Sequence, residues 1–427
     1  MTIAYARGLS PVRTVLASGA IVTVQEASMT PAVTINATIQ AGGVFESAQQ
    51  NGVAFLTGRV LDRGTANRSA DVIAEELDER GVSLRVSTAR HTSALTCTCL
   101  AEDFDDVLAI VLDTVRHPVF PAAEVAKRRA ETLNSLRQDQ DNPAVRAADV
   151  LLELLYGSEH PYGRRAKGTI DTVTGFTRDD LAAFHRARYR PGLLSLVIVG
   201  DVDPSHARDR AARELDGWAG DAPADAPLPP PPPHDERRES VVTIEGKSQS
   251  DIAYGFTSIK RLDPRYYAYW LMNNILGQFG LGGRLADNIR ERQGMAYYAY
   301  SAIDPSVGEG PLLIRAGVDP GNVARAVAAI DYEVGSLGAQ GVTADEVAQS
   351  KQYLIGSIPR MLETNAGIAA FLQTVEQFNL GLDYDRRLPE HLRAVTIEEV
   401  NAAAAELLHP ERAAVAIAGP SVPSDGA

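Results

Sequence analysis

Phe176-Thr-Arg-Asp-Asp-Leu181 and Val395-Thr-Ile-Glu-Glu-Val400 are two copies of one helix entry, 219 positions apart, each with a threonine to cap the first turn and acids to follow it. The same spacing relates Pro191 to Pro410 and Gly200 to Gly419. Between these anchors run two apolar stretches, Leu194 to Val199 and Ala413 to Ala418, with the character of buried strands. Upstream, Glu124-Val-Ala126 answers Glu346-Val-Ala348 at a spacing of 222, so a small insertion separates the blocks. The chain is a tandem duplication, and its fold is restricted to two like halves.

Between the copies lies DAPADAPLPPPPPH, Asp221 to His234, whose five consecutive prolines favour an extended spacer over a packed element. This places the first half at 1–220, a proline-rich linker at 221–239 and the second half at 240–427. Within the first half, Thr34 to Ala41, Leu84 to Thr88 and Ser93 to Leu100 alternate as strands do. Ala70 to Glu79, Phe104 to His117 and Ala122 to Gln138 have helical periodicity. The pattern predicts an α+β fold, each half a largely antiparallel sheet with helices packed on one face. A chain of 427 residues at 45% hydrophobic composition has enough apolar surface for both cores.

Charge narrows the partners. Lys plus Arg is 41 against 55 for Asp plus Glu, a net of -14, which argues against nucleic acid or an anionic membrane as the principal partner. No run approaches the ~20 apolar residues of a membrane helix. Arg7 and Arg13 ahead of an apolar patch imitate a signal peptide, but Ser18-Gly19 between two alternating stretches predicts a hairpin of the mature fold. Cys97 and Cys99 share one face of a strand and read as two buried thiols, compatible with a reducing compartment; the cytoplasm is the expected location, with the periplasm as alternative.

Leu16-Ala-Ser-Gly19, His160-Pro-Tyr-Gly163, and Tyr189-Arg-Pro191 through Gly200-Asp-Val202 resemble signatures of the pitrilysin and insulinase family of zinc metallopeptidases, in its bacterial, mitochondrial-processing-peptidase-like branch. The resemblance runs over nearly the whole chain and implies two halves arranged as a clam-like pair. In that family the helix after Gly-x-Ala carries H-x-x-E-H, because histidines at i and i+4 share a helix face and grip one zinc while the glutamate acts on the bound water. Here Gly52-Val-Ala54 and Gly64-Thr65 set the register, and the three positions hold Phe55, Gly58 and Arg59. The family's third ligand, a glutamate before a D-x-P signature, falls on Ser135, ahead of Asp141-Asn142-Pro143. The resemblance therefore implies no metal on this chain. No two of the eight histidines lie within a helical turn of each other, and His160 and His185 read as turn and helix-surface residues. Asn51 to Thr65 then reads as an amphipathic helix with Val53, Leu56, Val60 and Leu61 facing the core.

The second half keeps a distinctive segment, Gly277 to Ala302: a glycine-rich turn, a helix from about Gly283 to Glu291, a stop at Gly294 and an aromatic strand. Gly280, Gly282 and Gly283 suit a peptide-contact loop better than a phosphate loop, since the strand-turn-helix context of a dinucleotide site is missing. The residues alone read Arg290 as the partner of a surface acid and Tyr297 as a packed strand residue. The resemblance assigns them, seven positions apart, to the substrate carbonyl and the developing oxyanion of a zinc-bearing active site. Tyr298 and Tyr300 compete for the register, and Tyr298→Phe is the expected neutral control. What the resemblance implies is a zinc-free subunit of a heterodimeric peptidase: a homologous partner binds the zinc, a peptide is the substrate, and Arg290 and Tyr297 serve the partner's site. The alternative is a structural or peptide-binding scaffold of the same fold without proteolysis.

Overall fold

The computed structural model describes residues 8–224, 227–278 and 280–421. Arg7 of the basic start, Asp225 and Ala226 of the linker, and the last six residues of the second half lie outside them. The described residues divide into two units. One is built from 1–136, 165–226 and 358–387, the other from 137–164, 227–357 and 388–427, so each takes in a segment from the opposite half of the sequence.

The first unit holds a six-stranded sheet of β1 (Val12–Val15), β2 (Ile21–Glu26), β3 (Ala32–Ile39), β4 (Arg85–Thr88), β5 (Ser93–Leu100) and β6 (Leu194–Gly200), in the order β1-β2-β6-β3-β5-β4. All pairs are antiparallel except β2 with β6. The basic start thus becomes the β1–β2 hairpin, turning at Gly19 with φ +88°, a region that glycine enters without strain. The second unit repeats the plan with β7 (Arg238–Thr243), β8 (Ser250–Thr257), β9 (Ala296–Ile303), β10 (Pro311–Val318) and β11 (Ala414–Gly419), in the order β7-β11-β8-β10-β9. Again one pair is parallel, β7 with β11. The duplicated anchors occupy equivalent places. Thr177 and Thr396 both close capping boxes, on the helices Arg178–Arg188 and Ile397–Leu407, and Gly200 and Gly419 both end the strand that follows.

In the first unit the helices Val53–Val60 and Phe104–Arg116 lie over one face of the sheet, where Val33, Ile35, Ala37, Leu95, Leu196 and Ile198 form the core with Leu56, Val107 and Val111. Cys97 and Cys99 point into this core, and burial pushes their thiols up to about 12 and about 11. The opposite face is covered as well, by the helix Asn365–Gln377 from the far half of the sequence, which lies on β3 and β6. It is fastened there by Gln373, whose amide donates to the carbonyls of Asn36 (2.9 Å) and Ser195 (3.0 Å) and accepts from Ser195 Oγ (2.9 Å). In the second unit the helix Pro143–Tyr156, from the first half of the sequence, packs on β8 and β11 in the same manner. His185, expected on a helix surface, is buried. Its Nε2 meets the Val115 carbonyl at 2.8 Å, its ring stacks on Tyr189, and burial holds its pKa down to about 4.

Gln373→Ala strips four hydrogen bonds from a buried amide and leaves backbone and hydroxyl groups of the sheet face unpaired. The expected cost is about 1–3 kcal/mol, read as a lower midpoint of thermal unfolding, whereas Thr374→Ala on the exposed side of the same helix changes little.

Candidate functional site

The helix Val53–Val60 is short and set by its ends. Gly52 stands at φ +99°, and a Cβ there would meet the Lys167 carbonyl at 2.7 Å, so only glycine fits this N-cap. The buried Glu46 carboxylate accepts from the backbone nitrogens of Gly52 (2.9 Å) and Ala54 (2.6 Å), satisfying amides that a helix start leaves without partners and complementing its dipole. Val53, Leu56, Val60 and Leu61 are buried, as the amphipathic pattern predicts.

The positions where the family's metal motif would stand are occupied by other chemistry. Gly58 is buried against β4, and a Cβ on it would lie 2.3 Å from Thr88 Oγ1. Arg59 reaches out to Glu131 at 2.9 Å, and Glu131 is shared with Arg128 at 2.8 Å, an arrangement that holds the Glu131 carboxyl below its usual range. Ser135 Oγ accepts from Lys167 Nζ at 3.0 Å. Zinc requires imidazole, thiolate or carboxylate donors, and a phenyl ring, a glycine, a guanidinium and an ammonium-bound hydroxyl supply none of these. The residues present do not fit the ion.

In the second half, Asn274–Gln278 and Ala286–Arg292 are π-wound turns, a form of helix that concentrates at functional sites. Gly277 and Gly283 allow close packing: a Cβ on Gly277 would meet the Ser301 backbone nitrogen of β9 at 2.5 Å, and one on Gly283 would meet Gly277 Cα at 2.9 Å. Gly280 turns the loop at φ +59° with open space around it. Gly282 borders a cavity of about 410 Å³ in which Arg284 forks onto Glu346 (2.7 and 2.9 Å), Arg292 meets Asp287, and Glu333 accepts from the Asn288 amide (2.6 Å). Packing and turn geometry thus account for Gly283 and Gly280.

Arg290 and Tyr297 belong to one rigid helix-turn-strand. Gly294, at φ +61°, donates to the Arg290 carbonyl (3.1 Å), and Met295 donates to the Ile289 carbonyl (3.0 Å), so the helix end is tied to the first residues of β9. Arg290 is about half exposed, its Nε 3.6 Å from the equally exposed Glu291, a separation at which an ion pair in water contributes little. β9 is the edge strand of its sheet, and Tyr297 sits where the pairing shifts: Ala296 faces Val318 and Tyr298 faces the adjacent Gly317. Tyr297 is therefore the extra residue of a bulge, a device that re-aims a side chain, and it is 82% exposed.

Tyr298 turns inward. Its hydroxyl donates to the buried carboxylate of Asp251, and burial together with that charge raises its pKa. Tyr298→Phe is thus no neutral control, because it strips a partner from a buried acid; nothing in the run Ala296-Tyr-Tyr-Ala-Tyr300 reveals an acid about fifty residues upstream. Tyr300, more exposed and lying opposite Arg315, is the better control.

Placing a carboxylate at position 58 tests whether this helix has room for the glutamate of the family's motif. Gly58→Glu collides with Thr88 Oγ1 and is expected to cost about 1–3 kcal/mol in thermal unfolding. Adding Thr88→Ala leaves no atom nearer than 3.6 Å to the new Cβ and recovers most of the loss; an unchanged midpoint for Gly58→Glu alone would show that the helix has room.

Residues 21–164 match the family described as Insulinase (Peptidase family M16), and residues 175–354 match the one described as Peptidase M16 inactive domain. The chain is 28% identical to an uncharacterized zinc protease of Mycobacterium leprae over 97% of this chain and 93% of that protein. It is 25% identical to an uncharacterized zinc protease of Bacillus subtilis over 91% and 93%. Among solved structures, the peptidase M16 inactive domain from Pseudomonas fluorescens superposes with a TM-score of 0.89 at 27% identity, over 97% of this chain and 98% of that one. A protease from Helicobacter pylori shares the fold, with a TM-score of 0.88 at 18% identity over 96% and 100%. With two sheets built on one plan, helices over each, and both of its sequence blocks matched, this chain belongs to peptidase family M16, the insulinase family.

Proposed function

We propose that this chain is the zinc-free subunit of a two-chain M16 metallopeptidase and lends Arg290 and Tyr297 to the active site of a homologous, zinc-bearing partner. One observation carries the reading. The first-half helix has no ligand atoms at Phe55, Gly58 and Arg59, while the second half holds an arginine and a tyrosine out to solvent on a braced segment. A tyrosine 82% exposed at a bulge gains nothing from core packing, so its value to the molecule lies in what it meets outside.

The partner's zinc would supply the activated water. This chain's share is electrostatic. The Tyr297 hydroxyl is a neutral donor that stabilises an oxyanion as charge develops, without the desolvation that a buried cation would demand. Arg290 presents permanent charge and a planar fork of donors, suited to a peptide carbonyl or carboxylate in both the ground and transition states. An extended peptide is the substrate class consistent with a polar pair beside an edge strand. The glycine-rich turn at Gly280, Gly282 and Gly283 offers that peptide a close backbone approach at Gly280, which has open space around it, while the Gly283 N–H is taken by the Gly280 carbonyl.

Co-expression with an M16 homologue that carries intact H-x-x-E-H is expected to yield a heterodimer in size-exclusion chromatography that cleaves peptides, while this chain alone cleaves none. In that heterodimer Tyr297→Phe lowers kcat by about 10²- to 10³-fold, Arg290→Ala raises KM as well, and Tyr300→Phe leaves both near wild type. A heterodimer of normal stability in which Tyr297→Phe retains full turnover would point instead to a scaffold of the same fold.

A further inference from the structure

Tyr298, Gly317 and Asp251 form one row across three adjacent strands: Tyr298 on β9 is in register with Gly317 on β10, and Gly317 is in register with Asp251 on β8. Gly317 is what opens the row. A Cβ there would lie 2.6 Å from Cε1 of the Tyr298 ring, so the missing side chain is the space through which the ring crosses β10. At its far end the hydroxyl donates to Asp251, which is 3% exposed and also accepts from Gln249 Nε2 at 3.2 Å. Tyr298 immediately follows the bulged residue. Holding it over Gly317 fixes the strand at the one place where β9 and β10 fall out of step.

We propose that Asp251 and Tyr298 are positioning residues for Tyr297: their hydrogen bond across Gly317 pins the register of β9, and that register sets the bulge from which Tyr297 projects. The proposal rests on the reading of Tyr297 as an oxyanion donor, and it adds a mechanical cause for its placement. A regular ladder would pair Tyr297 with Val318, the residue now opposite Ala296. Without the anchor the edge strand keeps the bond from Ser301 Oγ to the Asn273 carbonyl (3.1 Å) farther along but loses the tie beside the bulge, and a one-residue change of register turns side chains to the other face. A buried hydrogen bond to a charged acceptor is strong and directional enough to decide between the two pairings.

Hydrogen exchange, turnover and thermal unfolding, measured on four variants, test this. Tyr298→Phe removes the donor. Asp251→Val with Tyr298→Phe removes both partners, which restores stability because neither polar group is left buried alone. Asp251→Asn keeps an oxygen acceptor in place and serves as the rescue of Asp251→Val. In the full-length free chain, amide hydrogen exchange over residues 296–300 is expected to accelerate about tenfold in Tyr298→Phe and in the double variant, with β3 and β5 unaffected. In the heterodimer both variants lower kcat about tenfold with KM within about twofold of wild type, although the double variant regains the wild-type Tm. Asp251→Asn recovers most of the turnover that Asp251→Val loses. Recovery of kcat together with Tm in the double variant, or unchanged exchange in Tyr298→Phe, overturns the proposal. If Tyr297→Phe is silent while exchange still accelerates in Tyr298→Phe, the register lock stands and the oxyanion reading falls, so the two failures are told apart.

Discussion

Each sheet of this protein is buried on both faces, yet the half of the sequence that builds a sheet supplies a helical layer for only one of them. The other face of the first sheet waits for Asn365–Gln377, and β8 and β11 of the second are covered by Pro143–Tyr156. Much else depends on that exchange. β3 is buried at nearly every position, and its outward row, Thr34, Asn36 and Thr38, is polar and must find partners away from water. Gln373 meets Asn36 through its amide nitrogen and Ser195 of β6 with both ends, while Thr34 pairs with Thr98 and Thr38 with Asn36 Oδ1. Burying a polar row without partners would cost several times what one hydrogen bond contributes, so the exchanged helix satisfies the sheet as well as drying it.

The first-half helix is held in place by groups other than those at Phe55, Gly58 and Arg59. Its start is held by Glu46 and Gly52, its inner face by Leu56 and Val60, and none of these depends on a metal ion. The outer positions form an ion-paired surface around Glu131 and a lysine-to-serine contact at Ser135. Gly58 packs directly against β4. In the second half the constraint runs the other way: the packing glycines, the Gly294 turn and the inward Tyr298 keep one short segment rigid, while the two side chains it presents remain in solvent.

Much of this was legible in the sequence because it is written locally. Thr177 and Thr396 announce helix starts through their own spacing to an acid three residues on, and they cap as expected. Gly52 and Gly64 fix the register that places Phe55, Gly58 and Arg59, and both adopt positive φ. What could not be read joins distant positions. An amphipathic helix such as Asn365–Gln377 has the same pattern whichever sheet it covers, so its exchange leaves no local trace. The burial of His185 depends on Phe120 and Tyr189 closing around it, and the inward turn of Tyr298 on an aspartate on another strand. The three tyrosines of β9 are separated only by a bulge, and a bulge is a property of two strands, invisible in one.

The exchanged helices also bear on how the chain is made. All six strands of the first sheet have been synthesised by Gly200, but the helix that closes its second face ends at Gln377. At ribosomal rates of roughly 5–20 residues per second, the first unit spends on the order of ten to thirty seconds with one face of a finished sheet uncovered. During that interval the proline segment and β7 to β10 of the second sheet emerge, with β11 still to come, so the nascent chain carries an open apolar and polar surface through a long stretch of its own synthesis. A break within the proline-rich stretch would leave neither fragment complete, for each would have taken away the other's cover.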